Sequence, residues 1–226
     1  MNEIGVDRLR EIAVWAGELD ADELARAARG MSERTLAKGA YLFHAGDRFD
    51  AWSGVVTGLV KMSSVNRAGK TTTYTGVGSG GWFGEGSIIK DEKRRYDIMA
   101  LRDTRIALMN NATFHWLFQN SAAFNRYLVK QINERLGLFI ATVGNDRMLD
   151  SVGRVARSIA WIFNPVLSPH MSNSVEITQV EIGNLAGVSR QVANRSLRML
   201  EEEGLLRVIG ERIEIVNIDG LMTYGE

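Results

Sequence analysis

Between about residues 36 and 110, short apolar or β-branched runs are separated by glycines at Gly39, Gly46, Gly58, Gly69 and Gly80, and turn sequences such as Ala45-Gly46-Asp47 and Ala68-Gly69-Lys70 lie among them. Short strands at regular spacing with glycine punctuation predict an all-β roll or barrel. Ahead of it, Asp20-Ala21-Asp22-Glu23 offers a cap and an acidic first turn before Leu24, which predicts a short helical lead-in. From about Ala122 the period changes. Val129, Ile132, Leu136, Phe139 and Val143 recur at alternating spacings of three and four, an apolar seam on a helix of about six turns. Such a seam suits either a core-facing helix or a dimer interface. Its length and its place between two domains favour the second, because a long seam needs a partner of matching length, and a second copy of the chain supplies one.

Gly144-Asn145-Asp146 reads as an interruption of that helix. Asp150, followed by Ser151-Val152-Gly153, reads as the start of a new helix that runs to Phe163 before Asn164-Pro165 ends it. The stretch from Val166 to Ser174 is turn-rich. Beyond it come two helical patterns and a β-like end, Leu205 to Val208 and Arg212 to Val216, around the turn Gly210-Glu211. The expected organisation is therefore a β-roll sensing domain over 1–121, a dimerisation helix and hinge over 122–149, and a helical domain with a small wing over 150–226.

Composition changes this picture by exclusion. With 226 residues, 45% of them hydrophobic and 24% charged, the chain has material for two modest cores. No window approaches the roughly 18 consecutive apolar residues of a membrane span, and the first residues mix acids and bases, so a cytoplasmic protein is expected. No cysteine is present, which excludes disulfides, zinc fingers and cysteine-ligated iron–sulfur clusters. His44, His115 and His170 stand in unrelated contexts, so neither a metal nor an enzyme of the metal-dependent cupin type is expected. Net charge is zero, which argues against a protein that coats nucleic acid but not against one with a local basic surface.

Such a surface is legible in TQVEIGNLAGVSRQVANRSLRMLEEEGLL. Thr178 can cap a first helix with Ile182, Leu185 and Ala186 facing inward, Gly183 admitting a neighbouring helix and Gly187 making the tight turn. Ser189 then caps a second helix on which Ala193, Leu197 and Leu200 form the buried stripe. Arg190, Gln191, Asn194, Arg195 and Arg198 are left on the opposite face, all hydrogen-bond donors. Arginine pairs with guanine O6/N7 and glutamine or asparagine with adenine N6/N7 in a major groove, so this helix is expected to read DNA. From Asp150 onward acidic residues outnumber basic ones, so binding must rely on this focused patch and weaken steeply with salt.

Three segments, KGAYLFHAGD, GGWFGE and ITQVEIGNLAGVSRQVANRSLRMLEEEGLL, stand in the order and spacing of the family of the cyclic-AMP receptor protein and the fumarate-nitrate regulator, which the chain resembles over nearly its whole length. The resemblance implies an α+β fold: an N-terminal double-stranded β-roll of the cyclic-nucleotide-binding kind, a long dimerisation helix and a C-terminal winged helix-turn-helix. It implies a homodimeric regulator that binds a two-fold symmetric DNA operator with half-sites about 34 Å apart and meets RNA polymerase. Arg190, Gln191 and Arg195 fall where the family contacts bases and Ser189 where it touches phosphate. The cyclic-AMP receptor protein has glutamate at the place of Gln191, and glutamine favours adenine where glutamate accepts from cytosine N4.

In the family's nucleotide binders, the glutamate of a Phe-Gly-Glu loop bonds the ribose, a following Arg-Ser or Arg-Thr pair grips the phosphate, and polar residues of the long helix hold the base. Phe83, Gly84 and Glu85 match that loop. Counting from Glu85 places Arg95 at the phosphate, with Tyr96 in the hydroxyl slot, whereas counting back from Phe114 places Arg94 there. Arg135 matches an arginine that reaches the pocket, but the two hydroxyl residues that recognise adenine are replaced by Phe139 and Ile140. Each buried polar atom left unpaired costs roughly 1–3 kcal/mol, so a small effector other than cyclic AMP is expected. The alternatives are a more apolar ligand, an anion held by Arg94, Arg95 and Arg135, or no ligand, with the pocket filled by Trp82, Phe139 and Ile140 and DNA bound constitutively.

Overall fold

The computed structural model describes residues 2–69 and 71–225; Lys70 of the expected Ala68-Gly69-Lys70 turn lies outside them. Strand β1 (Asn2–Glu3), helix α1 (Val6–Ile12), a 3-10 turn (Val14–Glu18) and α2 (Ala21–Arg29) precede the roll. Asp20 caps α2 by accepting from the Glu23 N–H, while the Glu23 carboxylate accepts from the Asp20 N–H, so two of the helix's orphan donors are satisfied reciprocally.

The roll comprises β2 (Met31–Leu36), β3 (Tyr41–Phe43), β4 (Ala51–Thr57), β5 (Leu59–Val65), β6 (Thr71–Gly78), β7 (Trp82–Phe83), α3 (Glu85–Ile89), β8 (Asp97–Ala100) and β9 (Thr104–Asn110). Its strands form two antiparallel sheets, in the orders β1-β2-β9-β4-β7 and β3-β8-β5-β6. The core between them is aliphatic and aromatic, with Phe43, Val60, Phe83, Ile98 and Ile106 buried. A second core lies outside the first sheet. There Trp15, Trp52, Trp82, Phe114 and Phe124 pack ring against ring at centroid separations of 4.4–5.7 Å, fastening α4 (Asn111–Asn120) and the first turns of α5 (Ala122–Met148) to the roll.

The 27 residues of α5 make one continuous helix, which corrects the interruption expected at Gly144-Asn145-Asp146. Glycine, asparagine and aspartate are poor helix formers, but each costs only about 1 kcal/mol or less, and none removes a backbone donor as proline would. The break falls at Leu149, whose backbone is extended, and Asp150 then caps α6 (Ser151–Ile162) by accepting from the Gly153 N–H at 2.8 Å. The break between the two helices is thus confined to Leu149-Asp150.

Beyond α6, strands β10 (Ser174–Glu176), β11 (Leu206–Ile209) and β12 (Arg212–Ile215) form a three-stranded wing around α7 (Gln179–Ala186), α8 (Arg190–Glu202) and α9 (Ile218–Thr223). This unit is docked on the roll rather than tethered to it. Gly76 and Gly78 on β6 leave room for Ile162 and Met171, Leu59 of β5 is buried in the core built by α6, α7 and α8, and the Ser79 carbonyl accepts from the His170 N–H. Across the same junction the Lys61 ammonium of β5 bonds the Glu181 carboxylate of α7 at 2.8 Å, with side chains 8% and 17% exposed.

A pair so nearly removed from water behaves asymmetrically: the pair contributes little net stability, whereas an orphaned charge is costly. Glu181→Ala is expected to lower unfolding stability by about 3 kcal/mol, and the double change Lys61→Met with Glu181→Leu to restore most of it, as measured by urea denaturation. Lys38→Ala, which breaks only the exposed Lys38–Glu211 pair, should stay within about 0.5 kcal/mol of the unaltered chain.

Candidate functional site

Two places in the fold are candidates for binding: an exposed polar helix face and a cavity. The first is α8. Thr178 caps α7 and Ser189 caps α8 through their hydroxyls, as the sequence predicts, and Gly187 between the helices has φ +64°, the left-handed turn that glycine makes without strain. Gly183 plays the part expected and a further one. A side chain there would strike the Val188 carbonyl and press on the backbone of Ser189 and Arg190, so it admits both the turn and the start of the neighbouring helix α8.

Ala193, Leu197 and Leu200 are buried. Arg190, Gln191, Arg195 and Arg198 lie exposed on the other face, with no ion pair or hydrogen bond among the described residues. Asn194 differs: its amide donates to the Gln179 side-chain carbonyl at 2.8 Å. Gln179 therefore joins Ser189, Arg190, Gln191 and Asn194 around one shallow groove. Sequence periodicity missed Gln179 because it sits on α7, and one helix's period carries no information about a residue delivered by another.

Two members of the acidic run that follows are engaged elsewhere. Glu201 accepts from the Val208 N–H of the wing and Glu203 from the Tyr224 hydroxyl, both at 2.8 Å. A local excess of three unpaired guanidinium groups thus survives in an acidic half of the chain, and field at a surface follows local charge.

The second place is a cavity of about 360 Å³ where β6, α5 and α6 meet. The expected loop residues surround it unequally. Gly84 holds φ +95°, and a side chain on it would strike the Arg94 guanidinium; Phe83 points into the core of the roll. Glu85 is buried and pairs with Arg135 of the long helix, whose guanidinium also donates to the Trp82 carbonyl. Arg135 and Phe139 line the cavity; Ile140 does not and is exposed along the seam.

The choice between Arg94 and Arg95 is decided by packing. Arg94 is 2% exposed and donates to the carbonyls of Gly84 at 2.6 Å and of Phe49 and Ala51, each at 2.7 Å, so it builds the loop and is not a cavity residue. Burial holds its pKa below the usual arginine value, an effect opposed by the Glu85 carboxylate. Arg95 lines the cavity mouth and is braced by Glu92 at 2.7 Å. Tyr96, beside it in the lining, has a hydroxyl pushed up to about 12 by desolvation, so it is a neutral donor at physiological pH. Trp161 of α6, with Leu167 and Ser168 after it, forms a wall that no reading of the roll alone would include. Among the described residues no group of three or more histidine and carboxylate side chains is placed to hold a metal, and no helix is long and apolar enough to cross a membrane.

A cyclic-nucleotide-binding type of roll joined through a long helix to a winged helix-turn-helix defines a transcription regulator that couples a sensor to DNA. Residues 33–121 match the cyclic nucleotide-binding domain family and residues 153–224 the Crp-like helix-turn-helix domain family. The chain is 29% identical over 177 residues to the cAMP-activated global transcriptional regulator CRP of Haemophilus influenzae, covering 77% of this chain and 79% of that one. It is 29% identical over 180 residues to the cAMP-activated global transcriptional regulator Vfr of Pseudomonas aeruginosa, covering 77% and 84%. The structure of FixK2 from Bradyrhizobium japonicum shares the fold at a TM-score of 0.70 and 17% identity, over 84% of this chain and 95% of that one. The chain belongs to the Crp/Fnr family of transcription regulators.

The two neighbouring arginines should separate cleanly. Arg94→Ala leaves three carbonyls without their donor and is expected to cost about 3 kcal/mol or more in urea unfolding, whereas Arg95→Ala should change stability by less than about 0.5 kcal/mol.

Proposed function

We propose that the chain is a homodimeric, sequence-specific DNA-binding regulator controlled by a small effector other than cyclic AMP, held in the cavity between β6 and α5. The observation that carries the DNA-binding part is the set of side chains Arg190, Gln191, Arg195 and Arg198, projecting from one face of α8 without internal partners. Unpaired guanidinium and amide groups on a first-turn helical face meet base edges at little desolvation cost, and Ser189 at the helix start suits a phosphate contact.

Dimerisation through α5 is supported by the exposure of its apolar stripe. Val129, Ile132, Leu136, Phe139 and Val143 are 40–67% exposed in the single chain, at heptad spacing, and burying such a stripe against its own copy yields a symmetric pair. The DNA-binding halves then face a two-fold symmetric operator, with RNA polymerase as a further partner. An open cavity favours effector control over constitutive binding, because Trp82, Phe139 and their neighbours do not fill it.

Selection of bound sequences from random DNA, followed by titration at two salt concentrations, tests this reading. A palindromic site is expected, with affinity falling steeply as salt rises. Arg190→Ala and Arg195→Ala are each expected to cost at least tenfold at the selected site, and Gln191→Glu to shift the preference at one position of each half-site from adenine towards cytosine. Unchanged selectivity in the double arginine variant would overturn the assignment. Leu136→Glu should convert dimer to monomer in light scattering and remove operator binding with it.

A further inference from the structure

The cavity's walls and its charge together define a ligand class, and this step rests on reading the cavity as the effector site. Its surface is mostly aromatic and aliphatic, with Tyr96, Leu138, Phe139 and Trp161 as the main faces. Apart from Tyr96, the hydroxyls around it already take part in hydrogen bonds within the protein. Thr142 donates to the Leu138 carbonyl at 2.8 Å, Thr75 to the Gly76 carbonyl at 3.1 Å, and Ser168 accepts from the Gly78 N–H at 3.1 Å. A purine brings several donors and acceptors on its edge, and such walls leave most of them unanswered.

Charge narrows the class further. Arg135 is neutralised by Glu85. At the mouth, Arg95 shares the Glu92 carboxylate with Lys90, each at 2.7 Å, so its guanidinium is only partly neutralised. The Arg95 side chain is 72% exposed and its planar fork is suited to a carboxylate, with the Tyr96 hydroxyl beside it as a second donor.

We propose that the cavity binds a monocarboxylic acid with an apolar aryl or alkyl body, its carboxylate at Arg95 and Tyr96 and its body against Leu138, Phe139 and Trp161. A single guanidinium matches one carboxylate, and an uncharged apolar molecule forgoes that contact. Because Trp161, Leu167 and Ser168 belong to the DNA-binding side of the break at Leu149-Asp150, such a ligand touches both halves of the chain at once. Its affinity therefore differs between the docked and undocked arrangements, which is the condition for a ligand to shift one towards the other.

The test is calorimetric titration of the full-length protein with 1-naphthoate, 4-phenylbutyrate and decanoate, each beside its matching alcohol, and with cyclic AMP. At least one acid is expected to bind tenfold or more tighter than its alcohol and than cyclic AMP. Arg95→Gln, an exposed position whose change leaves the core intact, should reduce the acid-over-alcohol preference at least fivefold, and Tyr96→Phe should reduce it in the same direction. Tighter binding of cyclic AMP than of every acid, equal binding of acids and alcohols, or a preference that survives Arg95→Gln would each overturn the proposal. Operator binding measured without ligand on the same preparation keeps the two readings apart: acid binding without DNA binding sinks the regulator, and DNA binding without acid preference sinks only the ligand class.

Discussion

One guanidinium holds the sensor together. Arg135 reaches from the middle of α5 to bond both the Glu85 carboxylate and the Trp82 carbonyl, so the long helix, the Phe83-Gly84-Glu85 loop and the aromatic core meet at a single side chain. Charge-assisted bonds in a partly buried setting are strong and directional. This one fixes the distance of α5 from the roll, and with it the opening of the cavity and the direction in which the seam faces.

From that point the arrangement propagates in two directions. Towards the N-terminus, the tryptophan cluster clamps the first turns of α5, leaving the rest of the helix projecting with its apolar stripe uncovered. Towards the C-terminus, Gln131 donates to the Val166 carbonyl and Glu134 accepts from the Asn164 amide, both at 2.8 Å, so the same helix also holds the segment that follows α6. The DNA-binding half is thus gripped twice, by α5 and by β6, and both grips border the cavity.

The docking surface explains why the junction combines glycines with a nearly buried ion pair. Gly76 and Gly78 let α6 and the following loop lie close on β6, which maximises apolar contact but offers no side chain to set register. Lys61–Glu181 supplies that register, since a charge shifted off its partner in a dry junction is heavily penalised. Close packing and the ion pair, with the Ser168–Gly78 and His170–Ser79 hydrogen bonds beside them, hold the two halves in one register.

Sequence alone determined what depends on local chemistry. Strand spacing, the Asp20, Thr178 and Ser189 caps, the left-handed glycine between α7 and α8 and the polar face of α8 follow from rules spanning a few residues, and the structure carries each as expected. The order of three motifs was enough for the family. Tertiary structure decided whatever depends on which distant atoms become neighbours. Arg94 and Arg95 are adjacent and chemically identical, yet one is enclosed by carbonyls from residues 49, 51 and 84 and the other opens to the cavity, a distinction no count along the chain resolves. Likewise α5 passes through Gly144-Asn145-Asp146 because weak local preferences yield when no backbone donor is missing, and Trp161 joins a sensor wall because folding brings residues from beyond the break at Leu149-Asp150 back onto β6.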